Sequence, residues 1–175
     1  AATLGDSDAL RSELAALPAQ LERDLEALRS RGETLGADRQ WSQFVFLGIG
    51  PFLGVAYEAM LKLKEMTQVP CEAYSPLDFR HGPISIVGKG TMAVLLDSDR
   101  AAAHERSVLE DIRRLGGDGL MLSEAVGQGH SEMARSLLYL PVVQCLAYYR
   151  AIAEGRDPDR PQHLSRVVVL GEPLA

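Results

Sequence analysis

The sequence predicts an α/β fold: a parallel sheet flanked by helices, with an N-terminal helical arm. Three observations predict it. Short apolar runs suited to buried strands, above all Val45-Phe46-Leu47 and Thr91–Leu96, alternate with segments of helical spacing. The first run breaks at Gly48-Ile49-Gly50-Pro51 and passes directly into a helix. The opening residues carry leucines at helical spacing and no strand pattern.

Taken in order, Asp6-Ser7-Asp8 is a helix cap, and Leu10, Leu14 and Leu17 follow at helical spacing. Pro18 then starts a second helix, with Leu21, Leu25 and Leu28 as its seam and Gly32 as its stop. Residues 1–40 are therefore expected to form a hairpin of helices, and residues 41–175 the domain proper. After the strand at Val45, Leu53–Met66 has helical spacing, and Pro51 suits the first turn, where its missing N–H costs nothing. Val69–Tyr74 and Thr91–Leu96 are the next strands. Ala102–Leu115 is a helix with Val108, Ile112 and Leu115 inward, closed by Gly116-Gly117. Leu120-Met121-Leu122 is a strand, Glu124–Glu132 reads as a loop, and Tyr139–Glu154 is a helix ended by Gly155.

Composition bounds the function. The 175 residues fit one domain, and a net charge of -6 argues against the basic face that nucleic acid requires. No apolar run is long enough to span a membrane, and no basic-then-apolar leader is present. Cys71 and Cys145 lack metal-site spacing and are too few for a disulfide framework, which reads as reduced thiols in a cytoplasm. His104 and His130 have no partners at metal spacing and read as surface residues. Neither a metal nor a cofactor is expected. Gly48, Gly50 and Gly54 miss the dinucleotide fingerprint by one residue, although the turn still offers N–H groups and a helix N-terminus to an anion.

The chemistry concentrates on the helix after that turn. Glu58, Lys62 and Glu65 stand at i, i+4 and i+7, on one narrow stripe. Val55, Ala59, Leu63 and Met66 flank it on one side and Tyr57 and Leu61 on the other, where a surface helix normally gives a broad polar half to water. An ionisable stripe between apolar flanks points to a cleft. Glu–Lys pairs at this spacing are also ordinary solvated helix decoration, and spacing alone does not choose.

Glu58-Ala59-Met60-Leu61-Lys62-Leu63-Lys64-Glu65, then Glu72-Ala73-Tyr74, then Phe79-Arg80-His81-Gly82-Pro83, resembles the sugar isomerase (SIS) domain. The resemblance runs from about Leu17 to Val169. It is strongest to the second SIS half of the isomerase portion of glucosamine-6-phosphate synthases and to ketose/aldose isomerases. It implies Glu65 as the base that moves a proton between C1 and C2 of a ring-opened sugar phosphate, with Lys62 and Glu58 beside it. It implies His81 as the ring-opening histidine, reaching the neighbouring subunit's site, and a homodimer or a second SIS half as partner. Gly48, Gly50 and Arg80 would meet substrate, as would Arg166, which stands where the synthases carry a closing lysine. Arginine holds its proton and can only clamp an anion there.

The chain departs from the family elsewhere. The turn at 48–56 and the loop Asp97-Ser98-Asp99-Arg100 lack the family's hydroxyl-rich phosphate loop, which assigns phosphate binding to a missing first half. The chain is short where SIS domains carry a fifth strand, leaving that strand in doubt. The Leu-Pro helical arm and a start without Met read as a chain that begins just after such a half. The resemblance implies an isomerase or deaminase half. A non-catalytic phosphosugar sensor, or a structural half supporting a partner's site, stands as the alternative.

Overall fold

A computed structural model describes residues 7–124, 126–127 and 129–164. Four parallel strands, β1 (Gln43–Gly48), β2 (Cys71–Tyr74), β3 (Thr91–Leu96) and β4 (Asp118–Met121), lie in the order β2-β1-β3-β4. In register, Phe44 faces Cys71 on one side and Met92 on the other. Side chains alternate across the sheet, so the two faces build separate cores. Phe44, Phe46, Met92, Val94 and Leu96 pack under α1 (Ser7–Ala37), α2 (Pro51–Thr67) and α5 (Glu132–Ala153). Val45, Leu47, Ala93 and Leu95 face Phe79 of α3 (Pro76–Arg80) and Val108, Leu109 and Ile112 of α4 (Ala102–Arg114). Burial on both faces explains why β1 and β3 read as continuous apolar runs.

The arm is one helix, not the expected hairpin. Pro18 lies inside α1, and the helix runs on past Gly32 to Ala37. An internal proline removes a hydrogen bond and costs about 3 kcal/mol. Burial of Leu17, Leu28 and Leu35 offsets it, at roughly 1.5–3 kcal/mol per side chain. Leu25, placed in the seam by spacing, is instead exposed. Gly32 marks a close approach to α5. A Cβ there would stand 2.4 Å from the Cβ of Cys145, and one at Gly36 2.2 Å from the Leu146 carbonyl oxygen.

The remaining elements differ mainly at their ends. Leu115 points outward, half exposed, because α4 stops at Arg114. α5 starts at Glu132, seven residues before the predicted Tyr139, with the Ser131 hydroxyl accepting from the N–H of Ala134. At 22 residues it is long and apolar enough by length and composition to cross a membrane, which the sequence reading did not allow for; half of its apolar window is buried inside this fold. Neither histidine is a free surface residue. His130 pairs with Glu13, and Nε2 of His104 is buried. Cys71 is a buried free thiol and Cys145 a half-buried one. Among the described residues no fifth strand follows β4.

The glycine contacts give opposite expectations for one substitution. Gly32→Ala should destabilise by about 1–3 kcal/mol, since α1 and α5 must separate to admit the methyl group. Gly54→Ala should stabilise by about 0.5–1 kcal/mol, because Gly54 lies in α2 with open space at its Cβ position. Urea midpoints of the two variants, falling for the first and rising for the second, are the check.

Candidate functional site

β1 ends in a turn that only glycine can make. Gly50 caps α2 at φ 57° and ψ −127°, a region closed to side-chain-bearing residues. A Cβ at Gly48 would fall 2.5 Å from the Phe52 carbonyl oxygen. Both glycines thus seat the N-terminus of α2 tightly on β1. From there α2 buries Phe52, Ala56, Ala59 and Leu63 and turns Tyr57 and Leu61 to solvent.

The ionisable stripe lies between those faces. Lys62 Nζ donates to Glu65 Oε2 at 3.0 Å and stands 3.9 Å from Glu58 Oε1, with all three side chains about one-third exposed. The Glu65 hydrogen bond raises the pKa of the Lys62 ammonium, opposed by partial burial and aided by the charges of Glu65 and Glu58. A cation between two carboxylates lets both stand on one stripe without net repulsion. Beside it opens a groove of about 310 Å³, lined by Lys62 and Met66 of α2 and by Gln144, Cys145 and Tyr148 of α5. The α5 wall was missed by sequence reasoning. Its signal was Met133, Leu137, Tyr148 and Ile152, exposed apolar residues at helical spacing.

His81 is positioned from the other face of the sheet. Ser75 caps α3, accepting from the N–H of Asp78, and Phe79 is buried against the second core. His81 then closes α3 and leaves its side chain exposed. Arg80 fixes this turn to α4: its Nε donates to Asp111 at 2.6 Å and its Nη2 to Ser107 at 3.1 Å. No hydrogen bond or ion pair joins His81 to Glu58, Lys62 or Glu65. Arg166 lies outside the described residues, as does Val169, where the resemblance ends.

At the carboxyl end of β3 the loop is built from buried polar groups. Asp97 and Ser98 are buried, and Asp97 Oδ1 accepts from the Ser123 N–H at 2.9 Å. Glu105 of α4 is fully buried and accepts from the Ser98 N–H through Oε2, while its Oε1 has no hydrogen-bond partner. Burial pushes its carboxyl up to about 7, and the charge of Asp97 adds to the shift against the Ser98 hydrogen bond. Arg135 of α5 pairs with Asp99 at 2.8 Å. Among the described residues no three His, Cys, Asp or Glu side chains converge as a metal site.

The pattern of a parallel sheet, the α2 stripe and the histidine turn meets a direct match in sequence: the SIS-domain model aligns with residues 39–145. The chain belongs to the SIS-domain family. This SIS domain is 31% identical over 177 aligned positions to glutamine-fructose-6-phosphate aminotransferase (isomerizing) of Vibrio vulnificus, covering 90% of the chain and 28% of that relative. It superposes with a TM-score of 0.76 on glucosamine-6-phosphate deaminase of Thermotoga maritima, at 32% identity, covering 88% of this chain and 48% of that one. The tagatose-6-phosphate ketose/aldose isomerase of Escherichia coli shares the fold, with a TM-score of 0.70, 22% identity and cover of 91% and 47%. The chain thus spans about a quarter of the length of such aminotransferases and about half of these solved chains.

Glu105 has a consequence for stability. Its folded pKa is raised from 4.5 to about 7, so its contribution is complete below 4.5 and is lost as pH rises through 7. The wild type should lose roughly 1–3 kcal/mol between about pH 5 and pH 8 that Glu105→Gln retains. Urea denaturation of both proteins at the two pH values measures it; parallel losses would assign the pH dependence elsewhere.

Proposed function

We propose that this chain is the C-terminal SIS half of a phosphosugar isomerase or deaminase. The observation that carries the reading is the part-exposed Glu58-Lys62-Glu65 stripe, whose central Lys62 pairs with both carboxylates and lines a groove between α2 and α5. Residues 1–40 serve as its arm and 41–175 as the domain proper, in a cytoplasmic setting. Its ligand is a sugar phosphate, the class that the solved relatives' names share.

In this reading His81 opens the sugar ring, delivering a proton to the ring oxygen as the anomeric hydroxyl gives one up. Glu65 then removes a proton from one of C1 and C2, and the charge passes to the carbonyl oxygen. Returning the proton to the other carbon completes the isomerisation, and a positioned base of this kind contributes about 10²–10⁴-fold. Lys62 holds positive charge beside the developing enediolate, with Glu58 as its second anchor. Gly48 and Gly50 bring backbone close to the ligand, and Arg166 clamps its anion. Arg80 meets substrate only after release from Asp111; in the resting chain it steadies the His81 turn.

A partner completes the site. Tyr57 and Leu61 of α2, with Met133, Leu137, Tyr148 and Ile152 of α5, the two helices that wall the groove, expose apolar surface. A second SIS half, or a second copy of this chain, fits that surface and accounts for the half-length cover of the solved relatives. The isolated chain should therefore self-associate while binding glucosamine-6-phosphate poorly. Sedimentation and calorimetry test this, and a monomer binding the sugar phosphate at micromolar affinity would overturn it.

Two substitutions test the chemistry in the assembled protein, with fructose-6-phosphate and glucosamine-6-phosphate as substrates. Glu65→Gln should cut kcat by about 10²–10⁴-fold with binding little changed; retention of most of kcat would make Glu65 a salt-bridge residue. His81→Ala should slow a cyclic sugar far more than an acyclic analogue. If His81 serves a neighbouring subunit of a dimer, mixing equal amounts of the two inactive variants restores about a quarter of the wild-type rate. No restoration would confine the site to one subunit.

A further inference from the structure

β4 is the outer strand of the sheet, last in the order β2-β1-β3-β4 among the described residues. An edge strand offers a row of backbone donors and acceptors to any strand that approaches. Gly119 faces Ala93 of β3 in register, yet both its backbone groups are engaged elsewhere. Its N–H donates to Asp118 Oδ1 at 2.7 Å, and its carbonyl accepts from Arg113 Nη2 of α4 at 2.6 Å. In a parallel ladder successive residues turn both groups to alternate sides, so Gly119 shows both to the open edge. Arg113 Nε stands 3.6 Å from the same Asp118 Oδ1, which closes the ring. One guanidinium and one carboxylate thus occupy the donor and the acceptor that an added strand would need at this residue.

The sequence brings α4 close enough for this. Gly119 has no side chain where a Cβ would stand 2.7 Å from Leu109 Cδ2 and 3.0 Å from the Ala93 carbonyl oxygen. α4 therefore rests on β4 through Leu109, and Arg113 follows one turn later on the same side of the helix. Arg113 reaches the edge with a planar fork of donors, which suits a carboxylate and a carbonyl at once. Stability is not what the pair supplies. Its side chains are 55% and 53% exposed, and an ion pair in such a setting is worth little. Its contribution is to fill the edge.

We propose that the Arg113–Asp118 clip guards the β4 edge against strand addition by a second copy of this chain. A second copy is the occupant that the edge itself selects. Two unclipped β4 strands present the same donor and acceptor, and a two-fold axis pairs them antiparallel in an isologous contact. The strand is short and its flank is charged: Arg106, Glu110 and Arg113 of α4, with Glu124, line a cleft of about 130 Å³ beside Met121. Brevity and charge are further devices that blunt an edge, so the clip acts together with them. The contact is distinct from the apolar faces of α2 and α5, and the inference does not rest on the proposed function.

Sedimentation of the wild type, Arg113→Ala/Asp118→Ala and Arg106→Ala at matched concentrations tests it. The double variant should form species larger than the wild type's, at a concentration at least tenfold below any at which the wild type does so. Arg106→Ala removes a cation from the same cleft but not from the clip, and should sediment as the wild type does. Amide exchange in the double variant should slow at Gly119 and Met121 as it associates, since alternate residues of β4 face the edge. Urea midpoints close to the wild type's show that folding is intact. Asp118→Asn, which keeps an acceptor for the Gly119 N–H and loses only the charge, guards against a double variant that does not fold, and should show part of the shift. No increase in size, an equal increase from Arg106→Ala, or protection confined to α2 and α5 overturns the proposal.

Discussion

The structure depends on the burial of α5 between α1 and α2. α5 covers the Phe44–Phe46 face of the sheet, receives Gly32 and Gly36 of α1 along one side, and supplies one wall of the groove on the other. Its two buried arginines fasten both ends. Arg135 holds the loop after β3 through Asp99 and the Asp97 carbonyl. Arg150 donates to the Asp38 carbonyl just beyond α1, pairs with Glu154, and lies over Phe44. Both guanidinium groups are buried and each is hydrogen-bonded to a backbone carbonyl outside the helix, so they tie its two ends to the loops that flank the sheet.

Much of this was legible in the sequence wherever a local pattern and burial agree. β3 was readable to the residue because Thr91–Leu96 is buried on both faces and bounded by turns. α2 was readable from its spacing, with Pro51 in the first turn. α1 was misread because Pro18 and Gly32 are breakers by local rule. The reasons they are tolerated lie far away in sequence, in the leucines packed on α5 and in the close approach to Cys145. The start of α5 was lost because its first turns carry polar residues whose partners, Glu13, Asp99 and Asp97, sit on other elements.

The site was legible in the same uneven way. The Glu58-Lys62-Glu65 stripe is a local pattern, and its contacts are local too. Gln144 and Tyr148 belong to the groove only because α5 crosses α2 there, which no spacing within either helix encodes. Asp97 and Asp99 read as charges that repel an anion. Their actual partners, Ser123 and Arg135, come from β4's far end and from α5. Long-range pairing makes both of them structural partners of other elements instead of free charges.

The placement of Glu65 and His81 bears on how such a chain works. Glu65 rides on α2, over the Phe44–Phe46 face of the sheet, while His81 follows α3, whose Phe79 is buried on the Val45–Leu47 face. The Arg80 contacts with Asp111 and Ser107 tie the histidine turn to α4 on that same side. No hydrogen bond or ion pair joins His81 to Glu65 within the chain. Two chains can unite the residues with both turns left intact, each lending its histidine to the other's stripe. The proposed function therefore unites the two groups through a second chain or half, for which the exposed apolar residues of α2 and α5 offer surface.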